Sequence, residues 1–307
     1  MQVQRLPNGR PGSDRLGRYY TAAAIGSALV GQLGGSAPSR IIDLGAGGGT
    51  LSLAAAVRWA DSQILTVDVD SRSKAALRAI PSLDYRHTHL RASALRVGLP
   101  DRVKLAVGRV DAGVCNPPFI APRWRNEYID ILEQAGFYGL PSLNRDIEAP
   151  AIFLAQNMRI LTKGSSLGII LPDSLISSQR HRWFREALLS TYRVERVVKL
   201  PRTSFAGTDA LAHAVILTKE TPRSTGVELG RFNGKSFEPL CKVNVLEGVD
   251  RLDVDFHLAR ILRSSPPIRS IFSAGVDVRR GSIERVVAAQ RGISALHTTD
   301  IDRKSVV

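Results

Sequence analysis

Short apolar runs alternate with longer segments of helical spacing through the first two-thirds of the chain. Arg40-Ile-Ile-Asp-Leu44 and Gln63-Ile-Leu-Thr-Val-Asp68 have the length of buried strands and are bounded by turn residues. The first ends in Gly45-Ala-Gly-Gly-Gly49 and leads into a helix-like stretch from Thr50 to Trp59. Ser71 to Ile80 predicts a further helix, favoured by Ala75, Ala76 and Ala79. Val110 to Cys115 reads as a weaker strand, stopped by Asn116-Pro117-Pro118, where two prolines end the pairing. Glu148 to Leu161 places Ile152, Leu154, Met158 and Leu161 at helical intervals. Ser166-Leu-Gly-Ile-Ile-Leu171 is a strand, and Gln179 to Tyr192 is a helix with a basic first half. Arg193 to Leu200 and Leu211 to Lys219 supply two more strands.

Strands alternating with helices in this way predict an α/β fold, with a mostly parallel sheet covered on both faces. The last two strands have only the loop around Thr203 to Asp209 between them. That is too short for a helical crossover and predicts an antiparallel pair. The alternation breaks after Thr221-Pro-Arg-Ser-Thr225, which places a boundary near residue 221. Residues 1–221 then form the main domain, entered through a polar arm of about twenty residues, and 222–307 form a smaller C-terminal extension.

Composition narrows the classes. The 307 residues are 44% hydrophobic and 23% charged, which excludes general disorder. Lys and Arg number 42 against 28 Asp and Glu, and the net charge of +14 favours a polyanionic partner, nucleic acid being the commonest. Cys115 and Cys241 are too far apart in the chain to read as a disulfide framework or a ligand set. His181 and His213 show no ligand spacing, so no metal site is expected. There is no apolar run of signal-peptide length in the first twenty residues, and none approaching the roughly 20 residues that cross a bilayer. A cytoplasmic protein without membrane contact is the expectation.

Two motifs carry chemistry. In Asp43-Leu-Gly-Ala-Gly-Gly-Gly-Thr50, glycines at 45, 47 and 49 let the backbone turn tightly, leaving main-chain groups close to a ligand. Asp68 ends the next strand, where a carboxylate accepts both hydroxyls of a ribose. Dinucleotide sites share this geometry, but the spacing here is G-x-G-x-G and an acid precedes it. A pyrophosphate gains nothing from Asp43, whereas an ammonium does. S-adenosylmethionine carries a sulfonium, an ammonium and a ribose. It suits the set of Asp43, the turn through Gly45, Ala46 and Gly47, and Asp68 with its neighbour Val69.

The second motif is Asn116-Pro117-Pro118-Phe119. An Asn side-chain oxygen and the Pro117 carbonyl can both accept hydrogen bonds from one amino group, aiming its lone pair at an electrophile. Proline fixes φ and brings no competing donor, and Phe119 offers a flat face to a base. Basic residues follow at Arg123 and Arg125 around Trp124, and again at Arg180, His181, Arg182 and Arg185. They suit either phosphate contact or an ordinary solvated face.

Gly17-Arg-Tyr-Tyr-Thr21, Asp43 to Thr50, Asp68 and Asn116 to Phe119, in that order, resemble the gamma arrangement of N6-adenine DNA methyltransferases. That family includes modification subunits of type I restriction systems and type II or fused restriction-modification methylases. The resemblance spans about residues 15–220 and takes in Leu167 to Leu175 and Phe205 to Lys219. It implies a Rossmann-like class I S-adenosylmethionine-dependent methyltransferase, whose seven-stranded, mostly parallel sheet ends in an antiparallel strand. It further implies that Tyr20 and Thr21 fold over the methionine part of the cofactor, although Ala22 stands where the family has Pro. Ser93, followed by Ala94, falls where the family usually carries an acid against the adenine ring.

Asn116, Pro117, Pro118 and Phe119 would by this resemblance transfer a methyl group to N6 of an adenine flipped from double-stranded DNA. The alternatives are a ribosomal RNA or protein-glutamine methyltransferase, which use a similar motif, and a catalytically silent DNA-binding subunit. Arg251 to Phe256, Arg279-Arg-Gly281 and His297 to Ile301 resemble the opening of a target-recognition domain. Residues 222–307 are then either the start of such a domain or a small extension packed on the catalytic one. A specificity or recognition polypeptide is an expected partner beside DNA.

Overall fold

The computed structural model describes residues 21–263, apart from 72, 74–76, 78–85, 142–146, 206–209 and 223–225. Tyr20, most of the helix expected over Ser71 to Ile80, and the recognition-like motifs at 279–281 and 297–301 lie outside the described residues.

The apolar runs form one nine-stranded sheet of β1 (Arg40–Leu44), β2 (Gln63–Asp68), β3 (His87–Arg91), β4 (Ala112–Cys115), β5 (Ser166–Pro172), β6 (Arg193–Lys199), β7 (Ala212–Thr218), β8 (Val227–Phe232) and β9 (Phe237–Val243). Their order across the sheet is β3-β2-β1-β4-β5-β7-β6-β8-β9. The first five are mutually parallel. β7 is antiparallel to both β5 and β6, as the short connection between β6 and β7 requires. The strand order reverses on either side of β1, and the carboxyl ends of β1, β2 and β4 meet at that switch point, where open α/β sheets bind ligands.

Seven strands were expected, and the sheet has nine among the described residues. β8 pairs parallel with β6 and buries Val227 and Leu229, and β9 pairs antiparallel with β8. β9 is largely exposed and carries Pro239 beside a register shift, so it has no apolar alternation to announce it. This pairing carries the sheet through the boundary expected near residue 221. The chain divides instead between Ile261 and Leu262, into units 1–261 and 262–307.

The helices described are α1 (Ala23–Gly31), α2 (Thr50–Arg58), α3 (Leu99–Val107), α4 (Glu127–Gln134), α5 (Ala149–Ile160), α6 (Asp173–Ser177), α7 (Arg182–Thr191), α8 (Val245–Asp250) and α9 (Val254–Arg263). Ile25 and Leu29 of α1 and Leu51 and Ala55 of α2 cover one face of the sheet, packing on Ile41, Val114 and Ile170. Ile131 of α4, Ile152 and Met158 of α5 and Leu188 of α7 cover the other face with Ile42, Cys115 and Ile169. α5 starts with Pro150 in its first turn, where the missing N–H has no intrahelical partner to lose. Its residues from Ala149 to Met158 are all buried.

The basic stretch at α7 is not a free cationic face. Arg185 is fully buried, and its guanidinium donates to four backbone carbonyls: Leu175 within α6, Ser178 just after it, and Val249 and Asp250 at the end of α8. Arg180 pairs with Glu148, and Arg182 with Asp250. Among the described residues no helix is long and apolar enough to cross a membrane.

Candidate cofactor and acceptor site

β1 ends at Leu44, and the chain turns back through Gly45, Gly47 and Gly49 with φ of 82°, 51° and 82°. These left-handed conformations are strained for any residue with a Cβ. At Gly45 space is also short, since a Cβ would lie 3.0 Å from Phe153 Cε1 of α5. The Gly45 and Ala46 N–H groups donate to the Val67 carbonyl at 2.8 and 3.3 Å, which stitches the turn onto β2.

Asp68 closes that stitch. Its Oδ2 accepts the Gly47 N–H at 2.8 Å and its Oδ1 accepts the Asp70 N–H at 2.8 Å. Each carboxylate oxygen therefore holds one donor and keeps capacity for another, which is what paired ribose hydroxyls require. Val69, next in the chain, is exposed at the mouth.

Asp43 is 1% exposed, and its Oδ2 accepts both the N–H and the hydroxyl of Ser52 at 3.1 and 2.6 Å. Burial pushes its carboxyl up to about 7, against the lowering effect of Ser52 and with a small further rise from Asp68. It is thus poised between protonation states near neutrality, and a cation beside it would favour the ionised form.

Beyond β3, the Ala92 N–H donates to the Asp68 carbonyl at 3.1 Å, which brings Ser93 and Ala94 to the same cleft. The Ser93 hydroxyl accepts the Leu95 N–H at 3.2 Å and so holds its own turn, while Ala94 is buried.

The Asn-Pro-Pro-Phe loop leaves the end of β4. Asn116 Nδ2 donates to Thr21 Oγ1 at 2.9 Å. Thr21 is 8% exposed, and its backbone forms an antiparallel bridge with Phe205. The Phe205 ring meets the Phe119 ring edge-on, with centroids 6.0 Å apart. After the motif, the Ile120 carbonyl accepts the Ala149 N–H at 2.8 Å, anchoring the loop to the start of α5. Cys115, just before it, is fully buried and its thiol donates to the Leu44 carbonyl at 3.0 Å. Burial, followed by the nearby Asp43, pushes the thiol well up, so it is a core residue and not a nucleophile.

Thr21, Asp43, Gly45, Ala46, Gly47, Asp68, Val69, Ser93, Ala94, Asn116 and Pro118 all line one cleft of about 970 Å³. Pro117 is buried and Phe119 packs towards Phe205, so neither forms its wall. Leu95, Ile120 and Phe153 add an apolar side that sequence reasoning missed. Phe153 looked like any core position of a helical repeat, and only the glycine opposite it hints at a ligand wall. The donor set fits S-adenosylmethionine: two acids for ammonium and ribose, and an apolar slot for a purine.

Residues 86–230 match the N-6 DNA methylase family, and residues 23–136 match the methyltransferase small domain. No curated protein sequence matches the chain. The methyltransferase subunit of a type I restriction-modification system from Streptococcus thermophilus is 18% identical with a TM-score of 0.58, over 86% of this chain and 55% of that one. A modification subunit assigned to a type I restriction enzyme from Vibrio vulnificus YJ016 is also 18% identical, with a TM-score of 0.54 over 84% and 55%. A protein described as a class I S-adenosylmethionine-dependent methyltransferase from Listeria monocytogenes is 19% identical, with a TM-score of 0.55 over 82% and 72%. At such identities the likeness is one of fold, and this chain spans little more than half the length of the two type I subunits. The segment from β3 into β8, with the Asn116 loop inside it, is the part of this chain that matches the N-6 DNA methylase family.

Proposed function

We propose that the chain is an S-adenosylmethionine-dependent methyltransferase acting on the exocyclic N6 of adenine in double-stranded DNA, within a restriction-modification system. The observation that carries the reading is the hydrogen bond from Asn116 Nδ2 to Thr21 at the edge of the cleft. With its amino end held there, Asn116 has its oxygen to offer to an incoming amine.

When bound, S-adenosylmethionine supplies an electrophilic methyl group. Asp68 would hold its ribose, Asp43 its ammonium, and Ala94, Ile120 and Phe153 its adenine. Asn116 Oδ1 and the Pro117 carbonyl accept the two N–H bonds of the acceptor amine, which keeps lone-pair density on nitrogen and directs it into the cleft. Phe119 presents its face to a flipped base, and Phe205 supports that ring from its edge. No residue needs to act as a nucleophile.

Sequence selection would come from a specificity or recognition polypeptide, since base-edge contacts decide it and phosphate contacts do not. The likeness to type I restriction-modification subunits supports that partner. The test incubates the purified chain, alone and with a candidate partner, with isotopically labelled cofactor and unmethylated duplex DNA. Mass spectrometry of the nucleosides should find labelled N6-methyladenine. Label in ribosomal RNA or on protein glutamine in its place would move the acceptor, and cofactor binding without any transfer would mark a silent subunit.

A further inference from the structure

Asn116 has a nearly symmetric side chain. A half-turn about its last bond exchanges the amide oxygen with the amino group, and in the wrong orientation it would turn a donor towards the acceptor amine, which is itself a donor. Something must choose between the two. In this structure Asn116 Nδ2 donates to Thr21 Oγ1 at 2.9 Å.

Thr21 is well placed to choose. It is 8% exposed, its backbone is paired with Phe205, and it also lines the cofactor cleft. A threonine hydroxyl has one proton to give and two lone pairs. If that proton were given to Asn116, the amide would be held with its oxygen towards Thr21. If it is given into the cleft, Oγ1 has only lone pairs for Asn116, and the amide is held with its amino group towards Thr21.

We infer that Thr21 is a positioning residue that couples the filled cofactor cleft to the orientation of catalytic Asn116. A group in the cleft that accepts the Thr21 hydroxyl proton, such as the carboxylate of an amino-acid cofactor, locks Asn116 with Oδ1 facing the acceptor. Phe205, on the other strand of the Thr21 bridge, extends the same restraint to the Phe119 ring. The inference rests on the assignment of Asn116 to the acceptor amine.

The experiment compares Thr21→Val, which keeps shape and removes the hydroxyl, with Thr21→Ser, which restores it. Single-turnover methyl transfer to duplex DNA and binding of S-adenosylhomocysteine by calorimetry are measured for each. Thr21→Val should lower the transfer rate by about tenfold to a hundredfold, the scale of a misplaced catalytic group, with cofactor affinity falling by no more than about fivefold. Thr21→Ser should return the rate to within about threefold of the parent. A rate unchanged in Thr21→Val, or a loss confined to cofactor affinity, would overturn the positioning role. Equal losses in both variants with lowered melting temperatures would also overturn it, as a folding effect. A second readout needs no turnover. The Asn116 side-chain amide resonances, assigned by their absence in Asn116→Asp, should gain exchange protection when S-adenosylhomocysteine is added to the parent and to Thr21→Ser, and not to Thr21→Val. If the parent transfers no methyl group to DNA, the proposed function fails, and these resonances still decide what Thr21 holds.

Discussion

The Gly47 N–H donates to Asp68 Oδ2 at 2.8 Å, so the acid that ends β2 holds the glycine turn that follows β1. One carboxylate thereby shapes the turn and also lines the cleft. Gly47 can offer its N–H in that direction because its φ of 51° turns the backbone into the left-handed region.

Asp68→Ala should weaken cofactor binding by about 1–3 kcal/mol, the order expected when hydrogen bonds to a charged acceptor are lost. Asp68→Asn should fall between, because its amide oxygen can still accept one donor. Calorimetry with S-adenosylhomocysteine decides this, and unchanged affinity in Asp68→Ala would place the ribose elsewhere.

Asp43 gives cofactor binding a pH dependence with a definite sign. Its carboxyl is raised by burial from 3.8 in the unfolded chain to about 7. The folded apo-protein therefore binds the extra proton between those values. The stability Asp43 contributes is full below about 4 and is lost as pH rises through about 7. A cationic ligand favours the ionised form, so affinity should rise between pH 6 and 8 in the parent by more than in Asp43→Asn. Parallel pH profiles for the two proteins would remove Asp43 from contact with the ammonium.

Asn116→Ala should abolish methyl transfer while cofactor affinity stays within about 1 kcal/mol, because the proposed role of its amide is to hold the acceptor amine and not the cofactor. Phe119→Leu should bind cofactor normally and transfer more slowly, since it loses the ring face and not the hydrogen bonds. Radiolabel transfer and calorimetry on the same preparations separate the two effects.

Arg185→Leu should lower stability by about 3–5 kcal/mol, because it strands four buried carbonyls at once. Burial brings its guanidinium down to about 10, so it is still charged at neutral pH. Arg180→Ala, on the same basic stretch but half exposed against Glu148, should change stability by no more than about 1 kcal/mol. Thermal melts of the two variants compare a buried clamp with a surface pair, and equal shifts would show that Arg185 is not the clamp its contacts describe.

Much of this protein was legible along the chain because its signals are local. Glycines that need positive φ, prolines that end β4, and short apolar runs before them place Asp43, Asp68 and Asn116 at strand ends without any knowledge of neighbours. The antiparallel relation of β6 and β7 followed from loop length alone. What the tertiary structure decided depends on partners distant in sequence. β3 is polar, His87-Thr-His-Leu-Arg91, and is a strand because β2 pairs with it, with Thr66 Oγ1 reaching both His87 and His89. β9 is exposed and exists by pairing with β8. Arg185 reads as surface charge until the carbonyls of two helix ends converge on it. Phe153 becomes a site residue because α5 packs across Gly45, and Thr21, expected beside the cofactor from the sequence, is joined to Asn116, 95 positions away, only by the fold. Local backbone preference writes its demands into neighbouring residues, whereas hydrogen-bond satisfaction in a buried place is settled only when the chain brings the partners together.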